Sequence, residues 1–444
     1  MQFPQKQGPP IILPDSIVNS GILIAGGTGS GKTVLMHQII ADARERRVRF
    51  VVHDAAMEYV PLWFRPGVDV ILNPFDARCP YWSIGDELRH DGEAPSVARS
   101  LVPPNPRNPR DFFVEGPWKL LSHLLTLKRT NGQEWAAQLH VDRPTCEDLC
   151  QWLSDHDLLD KRLEGSGLED ILAHDAPQQR GGVHAALGMV ADALTIVPRA
   201  ADATAQWSAR TWAEQPGDGC IFVTSNATTR ARLVPLQSLW LDLLILRLMS
   251  ATPQPRETVF ILDELAVLDT LSQLHTAVTE NRKFRNPMVI GTQDPAQLEV
   301  RYGAESRTIL SQFATSIILK LNDPPAQEWA SKKLGDVEIQ RLQESRRDGW
   351  ILNANATNHN LVWQKEPVAM PSEIGGLDTM TGYIKVGNSI ARMDFTYDNL
   401  KPTQPAFIER PRTATPMKRN ARRPPASSPL NSASLDLIPT TALE

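Results

Sequence analysis

The eight residues Gly26-Gly27-Thr28-Gly29-Ser30-Gly31-Lys32-Thr33 constrain this chain more than any other stretch. They stand between an apolar run, Gly21-Ile22-Leu23-Ile24, and a helical stretch, Val34 to Ile40. The pattern is G-x-x-x-x-G-K-[ST] in the strand, loop and helix setting that a P-loop requires. Its glycines let the backbone curl until successive N–H groups converge on phosphate oxygens, and the positive end of the following helix favours the same anion. In that arrangement Lys32 reaches the β- and γ-phosphates of ATP, and Thr33 offers its hydroxyl to Mg²⁺. A plain glycine turn would leave Lys32 and Thr33 without a reason.

A P-loop needs a sheet to carry it. Short apolar runs with β-branched residues recur at Arg49–Val52, Cys220–Thr224, Val259–Leu262, Met288–Gly291 and Ser316–Lys320. Such unbroken runs are expected of strands covered on both faces. Helical patterns alternate with them, so the expected core is an α/β doubly wound sheet. Between about residues 95 and 205 the texture changes. A proline-rich connector, Val102 to Pro109, leads into helical stretches at Trp118–Leu127, Thr145–Leu153 and His184–Ile196. Leu120, Leu121, Leu124 and Leu125 form one stripe, and Thr145 with Asp148 has the spacing of an N-terminal capping box. The expected organisation is a nucleotide-binding domain in two parts, 1–94 and 206–402, interrupted by an all-α insertion at 95–205. Residues 401–444 hold eight prolines in 44 residues and few large apolar groups, so 403–444 is expected to be a disordered tail.

Charge limits how such a chain can meet a polyanion. The net charge is −5, yet residues 401–444 hold seven Lys/Arg against three Asp/Glu, which leaves the body near −9. A body this acidic does not suggest a broad basic face for nucleic acid, so any DNA contact is expected to be local, in a pore or a groove. The four cysteines have no metal spacing; Cys146 and Cys150, four apart, read as structural thiols of a reducing cytoplasm. No signal peptide pattern is present. The most apolar stretch, Leu236 to Met249, carries Asp242 and Arg247 and reads as a core helix too short to span a bilayer. Trp118, Trp152, Trp212 and Trp240 lie in apolar contexts and read as core more than as base-stacking platforms. His53-Asp54 reads as a strand-end turn more than as a catalytic dyad.

A second chemical signal is Glu257-Thr-Val-Phe-Ile-Leu262-Asp263-Glu264, an apolar strand ending in two carboxylates. Beside a P-loop strand it delivers Asp263 to the Mg²⁺ shell and Glu264 to the attacking water. The apolar spacing of Leu265, Leu268, Leu271, Leu274 and Val278 then reads as one amphipathic helix ending in Asn281-Arg282-Lys283. Such a helix would carry Arg282 roughly 25 Å from Glu264. Arg282 is a candidate finger for a neighbouring subunit's nucleotide, and Gln293, at the tip of the next strand, a candidate γ-phosphate sensor. On spacing alone, a helix-end cation and a turn glutamine explain them equally well.

Taken together, Asp263-Glu264-Leu265-Ala266, then Arg282-Lys283, then Gly291-Thr-Gln293-Asp-Pro-Ala-Gln297-Leu298-Glu-Val-Arg-Tyr302-Gly303 resembles the type IV secretion coupling proteins, hexameric ATPases of bacterial conjugation. Ile71-Leu-Asn73-Pro74-Phe75-Asp76, the Trp212 segment and Met370-Pro-Ser-Glu-Ile374 extend the resemblance over roughly residues 10–410. The resemblance implies a RecA-like P-loop NTPase with an all-α insertion at the cytoplasmic end of a ring whose channel takes DNA. It implies P-loop roles for Lys32, Thr33, Asp263 and Glu264, a trans arginine finger at Arg282 and a sensor at Gln293. Its implied partners are DNA, relaxase and relaxosome proteins and the secretion channel, in a homo-hexamer. The chain has Asn281 where relatives tend to have glycine. Relatives also carry a pair of transmembrane helices before the P-loop domain, whereas about twenty residues precede Gly21 here. That leaves a cytoplasmic protein docked on the inner membrane through a separate anchor, a free paralogue, or a truncated sequence. The rival functions are a soluble DNA translocase of the septal-pump type, in mobile-element maintenance or defence, and a nucleotide-gated adaptor recruiting protein substrates.

Overall fold

Alternate residues of the central strands sink into two different cores. The computed structural model describes residues 1–104, 108, 111–128, 143–250, 257–346, 357–397 and 399–411. Its nine-stranded sheet comprises β1 (Ile22–Ala25), β2 (Arg49–Asp54), β3 (Val70–Leu72), β4 (Ile221–Thr224), β5 (Thr258–Leu262), β6 (Met288–Thr292), β7 (Thr315–Leu319), β8 (Thr381–Val386) and β9 (Ser389–Asp394). The order across the sheet is β9-β8-β7-β1-β6-β5-β2-β4-β3. Leu23, Val51, Phe260 and Leu262 enter the core on one face; Ile22, Ile24, Phe50, Val52, Val259 and Ile261 enter the core on the other. Strands flanked in this way have no solvated side to record in the sequence, which is why they read as continuous apolar runs.

From β7 to β3 the strands run parallel, while β8 and β9 add an antiparallel margin. That hairpin carries Thr-Gly-Tyr-Ile-Lys-Val, too short and too mixed to stand out before the fold is known. A separate antiparallel ribbon, Asp336–Arg346 with Thr357–Pro367, was likewise not legible, and its Trp363 is largely exposed.

Helix α1 (Lys32–Glu45) follows the P-loop and buries Leu35, Met36, Ile39 and Ile40 against the sheet. Across 94–205 the described residues form α2 (Ala94–Leu101), α3 (Phe112–Thr126), α4 (Cys146–Ser154), α5 (His156–Leu163) and α6 (Pro177–Leu194), with no strand among them. In α3 the leucine stripe 120, 121, 124 and 125 is fully buried. At α4 the Thr145 hydroxyl accepts from Asp148 N–H, and the Asp148 carboxylate accepts from Thr145 N–H. All four cysteines are free and buried.

Helix α7 (Arg230–Ser250) is longer than the apolar run suggests. Its 21 residues are enough by length and composition to cross a bilayer, but most of its apolar side chains are buried between the sheet and the insertion helices. Its two buried ionisable side chains, Asp242 and Arg247, both have partners. The Asp242 carboxylate accepts from the N–H groups of Ser272 and Gln273 at 2.9 and 3.1 Å, and Arg247 meets Glu93 at 2.9 Å.

Three further expectations need correction. The stretch after Glu264 is not one helix. A 3-10 turn covers Leu265–Val267, and α8 begins only at Leu274, running to Phe284. Leu265, Leu268, Leu271 and Leu274 are all buried, so an apolar spacing set by packing was read as helix. His53 and Asp54 lie within β2, fully buried, and not in a turn beyond it. The tail does not begin at 403, because Arg410 straps the chain onto the loop after β3. Its guanidinium donates to the carbonyls of Pro74, Asp76, Cys79 and Asp202 at 3.1, 3.0, 2.5 and 2.7 Å. The expectation of disorder for 412–444 lies outside the described residues.

Candidate functional site

The P-loop leaves the sheet where three parallel strands end together. Gly26 N–H donates to the Thr292 carbonyl at the end of β6, and Gly27 N–H to the Lys320 carbonyl just past β7. Thr28 and Gly29 are exposed at the apex, and Ser30 is buried beneath it. Gly31 then turns the chain into α1 with φ of +103°, where a Cβ would come within 3.0 Å of Met380 and 3.1 Å of Phe395. Glycine meets both the left-handed backbone and the close packing. The first N–H groups of α1 have no intrahelical acceptor, and its first turn holds no acidic residue, so an anion is the natural partner.

These groups face a cavity of about 560 Å³, lined by Gly27, Thr28, Gly29, Gly31, Lys32 and Thr33 on one side and Asp263, Glu264 and Gln293 on the other. Lys32 is nearly buried. Its Nζ donates to Glu264 Oε2 at 2.9 Å and lies 4.0 Å from Asp263 Oδ1. Burial raises the Glu264 carboxyl above its ordinary range, against the opposing pull of Lys32. Asp263 Oδ1 and Glu264 Oε1 are buried without a hydrogen-bond partner. Two such acceptors, beside the Thr33 hydroxyl and the open helix end, fit a hydrated Mg²⁺ and a phosphate chain.

Gln293 is held close by two devices. The Thr28 hydroxyl donates to its Oε1 at 3.4 Å, and Gly291 lets β6 press against the end of β5. A Cβ at Gly291 would sit 1.9 Å from the Asp263 carbonyl oxygen.

Arg282 is the one expected residue that lies elsewhere. It is exposed and borders a smaller hollow with Asn19, Ser20, Gly21, Met288, Gln312 and Phe313. Those residues precede or open β1, β6 and β7, so this is the opposite end of the strands that carry the P-loop. From Gly21 to Gly26 the separation along β1 is about 16 Å at ~3.3 Å per residue.

Sequence reasoning missed several lining residues: Glu58, Arg230, Thr379, Met380 and Tyr397. It also missed Tyr59, whose hydroxyl donates to Asp263 Oδ2 at 2.9 Å. The loop after β2 holds Glu58 and Tyr59. A general signal was available, since ligands of doubly wound sheets collect outside the carboxyl ends of the strands. Nothing local marked Thr379 or Tyr397, which come from the antiparallel margin and its exit.

Residues 7–397 match the family model described as "Type IV secretion-system coupling protein DNA-binding domain". Among curated proteins, the coupling protein TraD of Escherichia coli K12 is 24% identical over 420 residues, 93% of this chain and 57% of TraD. The chain therefore spans little more than half the length of that relative. Among solved structures, the bacterial conjugative coupling protein TrwBΔN70 in its unbound form superposes with a TM-score of 0.78 at 27% identity, covering 92% of this chain and 91% of that one. TrwB in complex with ADP and Mg²⁺ gives 0.75 at 27% identity, covering 89% of each. The sheet and its helices are thus those of a RecA-like P-loop NTPase.

Proposed function

The chain belongs to the type IV secretion-system coupling proteins, and we propose that it is an ATP-hydrolysing ring motor that moves DNA towards a secretion channel. The observation that carries this reading is the convergence of Lys32, Thr33, Asp263, Glu264 and Gln293 on one cavity at the P-loop. The bound states of TrwB support nucleotide and Mg²⁺ as the ligands, with Thr33 and Asp263 as the residues that would hold the cation. Bound Mg²⁺ supplies charge neutralisation on the β- and γ-phosphate oxygens. Lys32 exchanges its ion pair with Glu264 for the entering phosphates. Glu264, relieved of Lys32 and already biased by burial towards holding a proton, orients and deprotonates the attacking water. Gln293 senses the γ-phosphate from beside Thr28. Arg282, at the far end of the strands, acts on the nucleotide of the next subunit, which calls for a closed ring, a homo-hexamer by family.

The substrate of such a ring is DNA carried with a relaxase, passed to channel components at the inner face of the membrane. The acidic body confines the DNA to the channel. The test is ATP turnover with and without single-stranded DNA, run beside a sizing measurement. Turnover that rises with DNA and with assembly is the expected result. Turnover by a monomer, indifferent to DNA, would overturn the proposal.

A further inference from the structure

We infer that Tyr59 is a positioning residue that fixes the Asp263 carboxylate so that one chosen oxygen faces the cation side of the site. The inference rests on reading Asp263 as the carboxylate that holds Mg²⁺ with Thr33.

The two oxygens of Asp263 are used unequally. Oδ2 accepts the Tyr59 hydroxyl at 2.9 Å, whereas Oδ1 is buried, has no hydrogen-bond partner and lies 4.0 Å from Lys32 Nζ. A carboxylate rotates readily about its last bond, because that torsion has broad wells. Occupying one oxygen removes the freedom to exchange the two, so the free oxygen is presented to the P-loop before any ligand arrives. Groups of this kind, bonded to a ligand and not to the metal, set ligand orientation, and losing them typically costs about 10–100-fold in metal affinity or activity.

Tyr59 is itself anchored well enough to do this. It is 1% exposed. Its N–H donates to Asp54 Oδ2 at 2.9 Å, with the neighbouring N–H groups of Glu58 and Val60 on the same carboxylate at 2.8 and 3.3 Å. Its ring packs on His37 with centroids 4.9 Å apart, and His37 Nδ1 accepts from the Trp63 indole at 2.9 Å. A phenol carries one proton to donate, and here that proton is directed at Asp263 Oδ2. Tyr59 therefore orients and does not act as a base.

The test is Tyr59→Phe, which removes one oxygen and keeps the ring against His37. Binding of a fluorescent ATP analogue is titrated with Mg²⁺ and, separately, measured in EDTA. The Mg²⁺ concentration giving half-maximal tightening should rise about tenfold, while affinity in EDTA stays at the wild-type value. Tyr59→Leu, which also removes the ring, should raise the Mg²⁺ requirement by a similar factor while lowering the melting temperature, which separates the hydroxyl from the packing. In an Asp263→Asn background the Tyr59→Phe change should add nothing. A wild-type Mg²⁺ requirement in Tyr59→Phe, or an undiminished shift in the Asp263→Asn background, would overturn the inference while leaving the P-loop reading intact. If Asp263→Asn itself leaves the Mg²⁺ requirement unchanged, the role of Asp263 fails and that of Tyr59 with it.

Discussion

Replacing Arg282 by Ala should leave ATP binding intact and remove nearly all turnover, and the loss should be recoverable by mixing. The side chain borders the hollow at the amino ends of β1, β6 and β7, whereas the P-loop, Asp263 and Gln293 gather at their carboxyl ends. About 16 Å of strand separates the two ends, so Arg282 cannot reach the γ-phosphate of its own subunit without unfolding its helix. A finger supplied from a neighbour is worth about 10³–10⁵ in rate. Lys32→Ala protein lacks phosphate contact but keeps Arg282; Arg282→Ala protein has the reverse. In a ring assembled at random from equal amounts, about one site in four pairs an intact Lys32 with an intact neighbouring Arg282. The assay is steady-state phosphate release from each variant and from the mixture, with co-assembly verified by sizing. Recovery to roughly a quarter of wild-type turnover, from two nearly dead proteins, is expected. No recovery from demonstrably mixed rings would refute action in trans.

Glu264→Gln should bind ATP and hold it unhydrolysed, because the Lys32 contact is weakened while the water-orienting carboxylate is lost; isolation of protein still carrying ATP after prolonged incubation checks this. Gly291→Ala should reduce both stability and nucleotide binding, since the new methyl would meet the Asp263 carbonyl at 1.9 Å; thermal melting and the analogue titration read the two effects. Burial raises the Asp242 carboxyl to about 7, so the folded protein holds a proton there that the unfolded chain gives up. This contribution to stability is present at low pH and declines as pH rises from about 4 to about 7; urea melts at pH 5 and pH 8 should show a smaller difference for Asp242→Asn than for wild type. Truncation before residue 412 should leave basal turnover unchanged, whereas truncation before residue 403 should lower the melting temperature by removing the Arg410 strap.

What the sequence disclosed, and what it withheld, follows from where the information is local. The P-loop is a local device: glycine at 31 is demanded by its own φ, and Lys32 and Thr33 by the ligand. The strands are nearly as local, because burial on two faces writes itself into consecutive residues. Asp263 and Glu264 are legible as the end of such a strand. By contrast, Tyr59 and Tyr397 reach the site through chain direction after a strand has ended; for Tyr59 that direction is set by the Asp54 carboxylate, whose hold on three successive N–H groups becomes visible only in the fold. Spacing also misled: Leu265, Leu268, Leu271 and Leu274 have helical intervals, yet only α8 from Leu274 is helical. All four are buried in the same core, with Asp242 of α7 fixing the turn through Ser272 and Gln273. Periodicity reports that a segment is packed on one side, and does not by itself report how the backbone achieves it.

The placement of Arg282 sharpens the functional argument beyond what its spacing allowed. A continuous helix from Glu264 would have made the finger's distance a matter of helix length alone. The observed chain instead makes a 3-10 turn, passes through an irregular segment tied to α7 by Ser238 and Asp242, and then enters α8, so the distance is set by the height of the sheet. Under the proposed ring, the P-loop cavity at one end of the parallel strands and the exposed Arg282 at the other would be the two halves of a head-to-tail contact. Such a contact uses different surfaces on the two partners and must close into a ring or grow without limit. On the proposed trans role of Arg282, the P-loop cavity, which holds Lys32 and is bordered by Arg230, receives its finger from the neighbour. The Asp242 anchor fixes the segment that leads into α8, and with it the position from which Arg282 projects. Asp242→Ala should therefore depress turnover in assembled protein more than it depresses ATP binding by the same preparation. Equal losses in both would mean that Asp242 serves stability alone.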